Sequence, residues 1–202
     1  MTIKSLQSTS LTNNVFYRSM LAGNAAYFPE FESDDFLEEV VLTTAASSVT
    51  FSGLGSYATA GYKHLQIRMV AKTSNYPGFN LRFNSDTGNS YYMHRLYGAG
   101  GTVGTSGYGA VNEIRFVNGI PDETAAANEF GAAVVDILDF SSSSKNTTVR
   151  ASTGAVYTDY PSVQLFSGLW INTAAVTSMT LADPAGGNFV ANCRFSLYGS
   201  KG

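Results

Sequence analysis

Residues 64–69 read His64-Leu65-Gln66-Ile67-Arg68-Met69, and this stretch decides the fold class. Its apolar residues Leu65, Ile67 and Met69 occupy every second position, with polar residues between them. Successive side chains of a strand point to opposite faces of a sheet. This period of two therefore predicts a β-strand with one face in a core and the other in water.

The same pattern recurs along the chain from about residue 38, and clusters of turn-forming residues at 85–89, 141–145 and 183–188 separate the segments. Short strands without alternating helices predict an all-β protein, an antiparallel β-sandwich of jelly-roll type. We expect residues 133–138 to form a strand buried on both sides, and the glycine-rich stretch 98–109 to form a flexible, exposed loop. The other expected strands are 48–51, 81–83, 91–97, 114–116, 147–150, 164–171, 176–181 and 194–198.

Residues 1–35 differ from the rest and are predicted to form an N-terminal arm and an acidic connector ahead of a sandwich domain at 36–202. The arm carries no acid as far as Asn24, and it contains apolar residues at helical spacing before Gly23. A helix this short must dock on something to be stable. The arm is therefore expected either to anchor the protein during assembly or to fold back on its own domain. Its candidate anchoring residues are Leu6, Leu11, Val15, Phe16, Tyr17 and Met20.

The connector concentrates negative charge, because residues 30–39 hold six of the fifteen acids of the chain. Carboxylates this close repel one another unless a cation or a basic neighbour compensates them. We expect a solvated connector or a segment that faces basic groups. The six acids are Glu30, Glu32, Asp34, Asp35, Glu38 and Glu39.

Composition narrows the class of partner. Charged residues make up 13% of the chain, roughly half the usual share, and small neutral polar residues replace them. The formal net charge of −3 disfavours nucleic acid as a partner, and no apolar stretch is long enough to span a bilayer. Neutral polar surfaces make contacts without desolvating ions. We therefore expect protein neighbours, including copies of the chain itself, and neither nucleic acid nor a membrane.

The sequence contains few of the residues and motifs that catalysis requires. The chain has two histidines, His64 and His94, and one cysteine, Cys193, which reads as a small core residue. It shows no nucleophile elbow, Walker loop or zinc-protease helix. We expect no enzyme activity, no cofactor and no metal centre. One alternative stays open, because the oxygen-rich turn Asn84 to Asn89 has the residue types that ligate calcium.

Sugar binding is a stronger possibility than catalysis. Sugar sites need an aromatic face for the apolar side of the ring, with amides and hydroxyls beside it. The candidate glycan-facing loop residues are Tyr76, Tyr108, Tyr157 and Tyr160, which stand among Asn, Ser and Thr. The alternative is that most tyrosines simply cover the sandwich.

Several blocks of the sequence resemble small virion structural proteins of tailed phages, particularly phages of cyanobacteria and marine bacteria. The resemblance covers most of the chain from about Val49, and the opening IKSLQSTSLTNNVFYRSML also fits it. These motifs are structural and carry no catalytic residues over. They are KHLQIRMVAKT at 63–73, LRFNSDTGNSYYMHRLYG at 81–98, NTTVRASTG at 146–154, SGLWINTAAVTSMTL at 167–181 and GGNFVANCRFSLYGSKG at 186–202.

The resemblance implies a jelly-roll-like module on the outer surface of the virion. One role is a capsid decoration (cement) protein that bridges subunits of the major capsid protein, as a homo-oligomer and preferably a trimer. The alternative is a tail- or head-fibre module that binds a host surface glycan. The short chain and the acid-free arm favour decoration, since long fibres usually carry repeats.

Overall fold

The computed structural model describes residues 34–157 and 160–201. Within them lie twelve strands and a short helix, so the all-β prediction is confirmed. The strands are β1 Asp35–Val41, β2 Ser48–Ser52, β3 Tyr62–Ala71, β4 Gly78–Phe83, β5 Tyr91–Ala99, β6 Thr102–Val111, β7 Ile114–Val117, β8 Gly131–Leu138, β9 Thr147–Tyr157, β10 Tyr160–Trp170, β11 Ser178–Ala182 and β12 Arg194–Lys201, and helix α1 is Gly55–Thr59.

The strands form two antiparallel sheets that pack face to face. The large sheet has the order β1-β12-β3-β8-β9-β10-β5-β6, and the small sheet has the order β2-β11-β4-β7. When β5, β6, β9 and β10 are set aside, the remaining eight strands pair as first-eighth-third-sixth and second-seventh-fourth-fifth. This is the strand order of a jelly roll with two Greek keys. The fold is thus a jelly-roll sandwich with two inserted hairpins, β5–β6 and β9–β10.

The period of two explains which strand faces are buried. In β3, Leu65, Ile67 and Met69 are buried, as the sequence predicts. In β8, the prediction of burial on both sides is wrong, because only one face enters the core while Ala132 and Val134 stay on the accessible face. The reason is that, among residues 34–157 and 160–201, no second layer covers this face of the large sheet.

Aromatic side chains fill the space between the sheets and tie the inserted hairpins to the jelly roll. Phe116 of β7 stacks on Phe79 at 4.4 Å between ring centroids and meets Phe166 of β10 edge-on at 5.1 Å. Trp170, at the end of β10, is buried as predicted and lies 5.5 Å from Phe83. Each such aromatic pair adds about 0.5–1.5 kcal/mol beyond its buried area.

The predicted loop at 98–109 is wrong, because most of it is strand β6. Gly100 and Gly101, both with positive φ, form the two-residue turn of a hairpin in which Ala99 pairs with Thr102; this is the backbone that a type I′ turn requires. Gly104, Gly107 and Gly109 lie directly against side chains of β5. A Cβ at Gly109 would lie 2.6 Å from the ring of Tyr92, so the small residue admits that ring against the backbone.

The described part of the acidic segment, from Asp34, leads directly into a strand of the large sheet. Strand β1 begins at Asp35 and pairs with β12, which makes it an edge of the large sheet. Asp34 pairs with Arg68 at 2.6 Å, and Glu39 pairs with Arg194 at 3.0 Å. Basic neighbours thus compensate these carboxylates. The predicted arm residues Leu6, Leu11, Val15, Phe16, Tyr17 and Met20 lie outside the described residues.

Candidate binding cleft and outer face

The inserted hairpins make the large sheet four strands wider than the small one. Strands β10 and β5 contact β7, the edge strand of the small sheet, and β6 lies next to β5 at the edge of the large sheet. We call β5 and β6 the overhang. A cleft of about 180 Å³ opens between this overhang and β7. It is lined by Tyr76, Met93, Tyr108, Val111, Asn112, Glu113, Arg115 and Val117.

Two of the four predicted tyrosines, Tyr76 and Tyr108, line this cleft. Tyr108 lies on strand β6, opposite Met93 of β5, and not in a loop as predicted. Its side chain is large, and 50% of the residue surface is exposed. Tyr76 is half-buried and stands between β3 and β4, where its carbonyl accepts a 2.6 Å hydrogen bond from the Thr73 hydroxyl. The cleft thus has two tyrosines among its walls.

The floor of the cleft holds a buried carboxylate, Glu113, whose side chain is only 4% exposed. Its Oε1 accepts hydrogen bonds from Nε and Nη2 of Arg115, at 3.0 and 2.6 Å. Its Oε2 accepts from Nδ2 of Asn80 at 2.7 Å and from Nη2 of Arg82 at 2.6 Å. These four bonds fill the roughly four acceptor positions of a carboxylate.

The charge balance of this cluster is positive. Two guanidinium groups, on Arg82 and Arg115, face the single carboxylate of Glu113. Arg115 is partly exposed and uses Nε and Nη2 on Glu113, so its Nη1 amine stays outside the ion pair. The cleft therefore presents a guanidinium edge and the amide of Asn112 beside two aromatic rings.

Sequence reasoning missed Glu113 and Arg115 as site residues. The segment 114–116 reads as a strand, and its alternation does place Arg115 on the face opposite Ile114 and Phe116. The overhang cannot be predicted from the sequence, because the pairing of β10 with β5 is what places β5 and β6 beside β7.

The other two predicted tyrosines lie elsewhere. Tyr157 ends β9 and Tyr160 begins β10, and the two are partners across the tip of the second inserted hairpin. Gly100, in the turn of the first hairpin, donates a backbone hydrogen bond to the carbonyl of Pro161 at 3.1 Å. The two hairpin tips are therefore neighbours, at the opposite end of β6 from Tyr108.

Arg95 fastens the overhang to the edge of the small sheet. Its Nη1 donates to the carbonyl of Val117 at 2.9 Å and to Oε1 of Gln164 at 3.0 Å, while its Nε donates to Ser106 at 2.7 Å. These bonds link β5, β6, β7 and β10 through one side chain. The bond to Val117 joins the large sheet to the small sheet beside the cleft.

The candidate calcium turn, Asn84 to Asn89, has a structural role where β5 begins and β10 ends. Oδ2 of Asp86 accepts a 2.7 Å hydrogen bond from the Trp170 indole. This bond, with one from the Gly88 amide, lowers the pKa of the Asp86 carboxyl. Oδ1 of Asn84 accepts from the amide of Thr177 at 2.7 Å. Over the described residues, no group of three or more His, Cys, Asp or Glu is arranged to hold a metal ion.

The histidines and the cysteine are not brought together. His64 lies on β3, where its Nδ1 accepts a hydrogen bond from the amide of Asp139 at 3.0 Å, whereas His94 lies on β5. Cys193 is fully buried, and burial raises the pKa of its thiol. Its sulfur contacts the backbone of Lys72, in agreement with a core role.

The face of the large sheet that points away from the small sheet is divided into two halves. The ion-paired half, on β1, β12, β3, β8 and β9, carries three ion pairs: Arg68–Asp34, Arg194–Glu39 and Arg150–Asp136. The neutral half, on β10, β5 and β6, has no Asp, Glu, Lys or Arg at its outward positions in the described strands. It exposes Leu96, Val103, Val163 and Leu165.

The fold and the cleft define a class: a jelly-roll sandwich whose inserted hairpins add an apolar outer face and a polar-aromatic cleft. No protein-family model, curated protein or solved structure matches this chain. In the described part of the chain, no helix has both the length and the apolar character needed to cross a membrane.

Proposed function

We propose that this protein is a structural component of the outer surface of a tailed-phage virion, where it decorates the capsid. The observation that carries the proposal is the neutral half of the outer face. It clusters exposed Leu96, Val103, Val163 and Leu165 on adjacent strands without a charge among them. Contiguous exposed apolar residues mark interaction surfaces in soluble proteins.

In this proposal the neutral half packs against subunits of the major capsid protein. A surface without ions buries at low desolvation cost, since each buried, unpaired charge costs several kcal/mol. The ion-paired half then faces solvent. The proposal includes the trimeric form implied by the sequence resemblance, and sedimentation of the purified protein tests that part alone.

The copy number per purified particle tests the proposal. Quantitative mass spectrometry would compare this chain with the major capsid protein. Hundreds of copies are the expected result for a decoration protein. A few dozen copies or fewer indicate a tail or vertex appendage instead, and absence from purified particles overturns the virion assignment.

A second candidate function, glycan binding by a fibre module, rests on a different observation. Tyr76 and Tyr108 line one cleft together with the side chains of Asn112 and Arg115. Aromatic faces beside amide and guanidinium donors are the groups that a sugar ring needs. A glycan array probed with the intact protein tests this function, and wild-type-like signals from Tyr108→Ala on every bound glycan would remove the cleft from consideration.

A further inference from the structure

We propose that the cleft beneath the overhang selects a carboxylate-bearing sugar ring, of the uronic acid type, over a neutral one. This inference rests on the second candidate function, glycan binding, and names its ligand class. It is carried by the charge and the hydrogen-bonding state of the cleft residues.

Among the described residues that line the cleft, Glu113 is the only acid, and its accepting capacity is used up. Both oxygens of Glu113 already accept two hydrogen bonds each. A neutral sugar site normally needs acceptors for the donating hydroxyl groups of the ring, as well as donors. The buried Glu113 carboxylate does not supply them.

Among the polar groups that remain, the guanidinium of Arg115 only donates, whereas the Asn112 amide and the tyrosine hydroxyls both donate and accept. Arg115 presents its Nη1 amine outside the ion pair, and Asn112 is exposed beside it. With two guanidiniums to one carboxylate, the cluster keeps one positive charge, while the formal charge of the whole chain is −3. A carboxylate on the ligand satisfies this excess, and charge-assisted bonds from Arg to a carboxylate are about twice as strong as neutral ones.

The two tyrosines that line the cleft favour a ligand that contains a ring. Tyr108 is half-exposed and projects from the overhang, and Tyr76 is half-buried at the other side of the lining. A cleft of about 180 Å³ takes a small group such as one ring. The apolar face of that ring stacks on tyrosine while its carboxylate meets Arg115.

The test uses the intact protein with a matched pair of probes: trigalacturonate, and the same trisaccharide with its carboxyls methyl-esterified. Titration calorimetry should give an affinity about ten-fold or more higher for the acid, equivalent to about 1.4 kcal/mol. The preference should shrink as salt is raised, because the Arg115 contact is partly exposed and is screened.

Variants then locate the effect. Arg115→Gln should remove the preference for the acid, and Tyr108→Ala should weaken both probes. Arg150→Gln, an exposed arginine on the outer face, is the control and should bind as the wild type does. Thermal melting identifies any variant that is unfolded. If Arg115→Gln fails to fold, the salt dependence with wild-type protein decides the question.

The outcomes separate the two ideas. Equal affinity for acid and ester, both lost in Tyr108→Ala, keeps glycan binding and overturns the acidic preference. Binding of neither probe overturns the acidic preference; if the array is silent as well, glycan binding falls with it. Acid binding that survives Arg115→Gln unchanged places the charge selection elsewhere and overturns the assignment.

Discussion

The two halves of the outer face belong to one sheet but differ in the side chains that they expose to water. One half exposes ion pairs, and the other exposes uncharged side chains. In the ion-paired half, Arg68, Arg150 and Arg194 each meet a carboxylate within 3.0 Å. In the neutral half, Leu96 and Leu165 are direct partners across two strands, and both are exposed. The boundary lies between the jelly-roll strands and the inserted hairpins, apart from β9. Strands β10, β5 and β6 therefore supply a neutral surface, whereas the inserted strand β9 continues the charged one.

The largest effect on stability is expected from Arg95→Met, beneath the neutral half. Three hydrogen bonds from one guanidinium join β5 to β6, β7 and β10, and the one to the Val117 carbonyl crosses to the small sheet. Bonds to charged groups contribute about 1.5–3 kcal/mol, so we expect a loss of about 2–3 kcal/mol in the free energy of unfolding. Urea denaturation measures it.

Arg150→Met is the matched control for that experiment. Arg150 also pairs with a carboxylate, but its side chain is 73% exposed on the ion-paired half. Exposed pairs contribute about 0–1 kcal/mol. Equal losses from Arg95→Met and Arg150→Met would show that Arg95 does not fasten the overhang.

Arg68→Ala should lower the free energy of unfolding by about 1 kcal/mol, through the loss of an exposed ion pair and a cation–π contact. Arg68 pairs with Asp34 at 2.6 Å and lies 4.2 Å over the ring of Tyr198. Salt screens the exposed ion pair, so the loss should shrink when urea denaturation is repeated in high salt. A loss that does not change with salt would assign the effect to ring packing alone.

Asp86→Asn should lower the free energy of unfolding slightly at neutral pH, and this loss should disappear as the pH falls. The Trp170 hydrogen bond holds the pKa of Asp86 below its ordinary value of 3.8. A carboxyl with a lower pKa in the folded state contributes stability that is present above the unfolded value and lost as pH falls through the folded value. The wild type should therefore lose stability more steeply than the variant below about pH 5. Parallel curves in melting experiments across that range would contradict this role.

The sequence predicts those strands whose residues follow the ordinary hydrophobic pattern. The alternation at 64–69 identifies β3, and Trp170 between Leu169 and Ile171 reads correctly as core. Strand β6 is not predicted because its glycines lower β propensity. Glycine is needed at position 109 because the ring of Tyr92, on β5, packs against the backbone there. Strand β1 is not predicted because Glu39 is compensated by Arg194, which lies far along the chain.

The cleft is predictable only in part. Aromatic residues among Asn and Ser indicate a sugar site, and two of the four named tyrosines, Tyr76 and Tyr108, do share a cleft. The buried Glu113 and its two arginines depend on a register that pairs Asn80 with Arg115. No local pattern reports that register, because it follows from how the sheets and insertions assemble.

Val70→Glu and Leu96→Glu offer a matched comparison of the two halves. Val70 is 48% exposed and Leu96 is 47% exposed, and both point outward from the large sheet. Neither change should alter the free energy of unfolding by more than about 0.5 kcal/mol, as is usual at the surface. Val70 is the register partner of Arg194, so a carboxylate there stays among charges.

Incorporation of these two variants into particles tests whether the neutral half attaches the protein to the capsid. Particles would be assembled with each variant as the sole source of this chain, and its copies counted against the major capsid protein. We expect wild-type copy number for Val70→Glu and a fall of about ten-fold or more for Leu96→Glu, because a buried, unpaired charge costs several kcal/mol. Equal incorporation of both variants would contradict attachment through the neutral half.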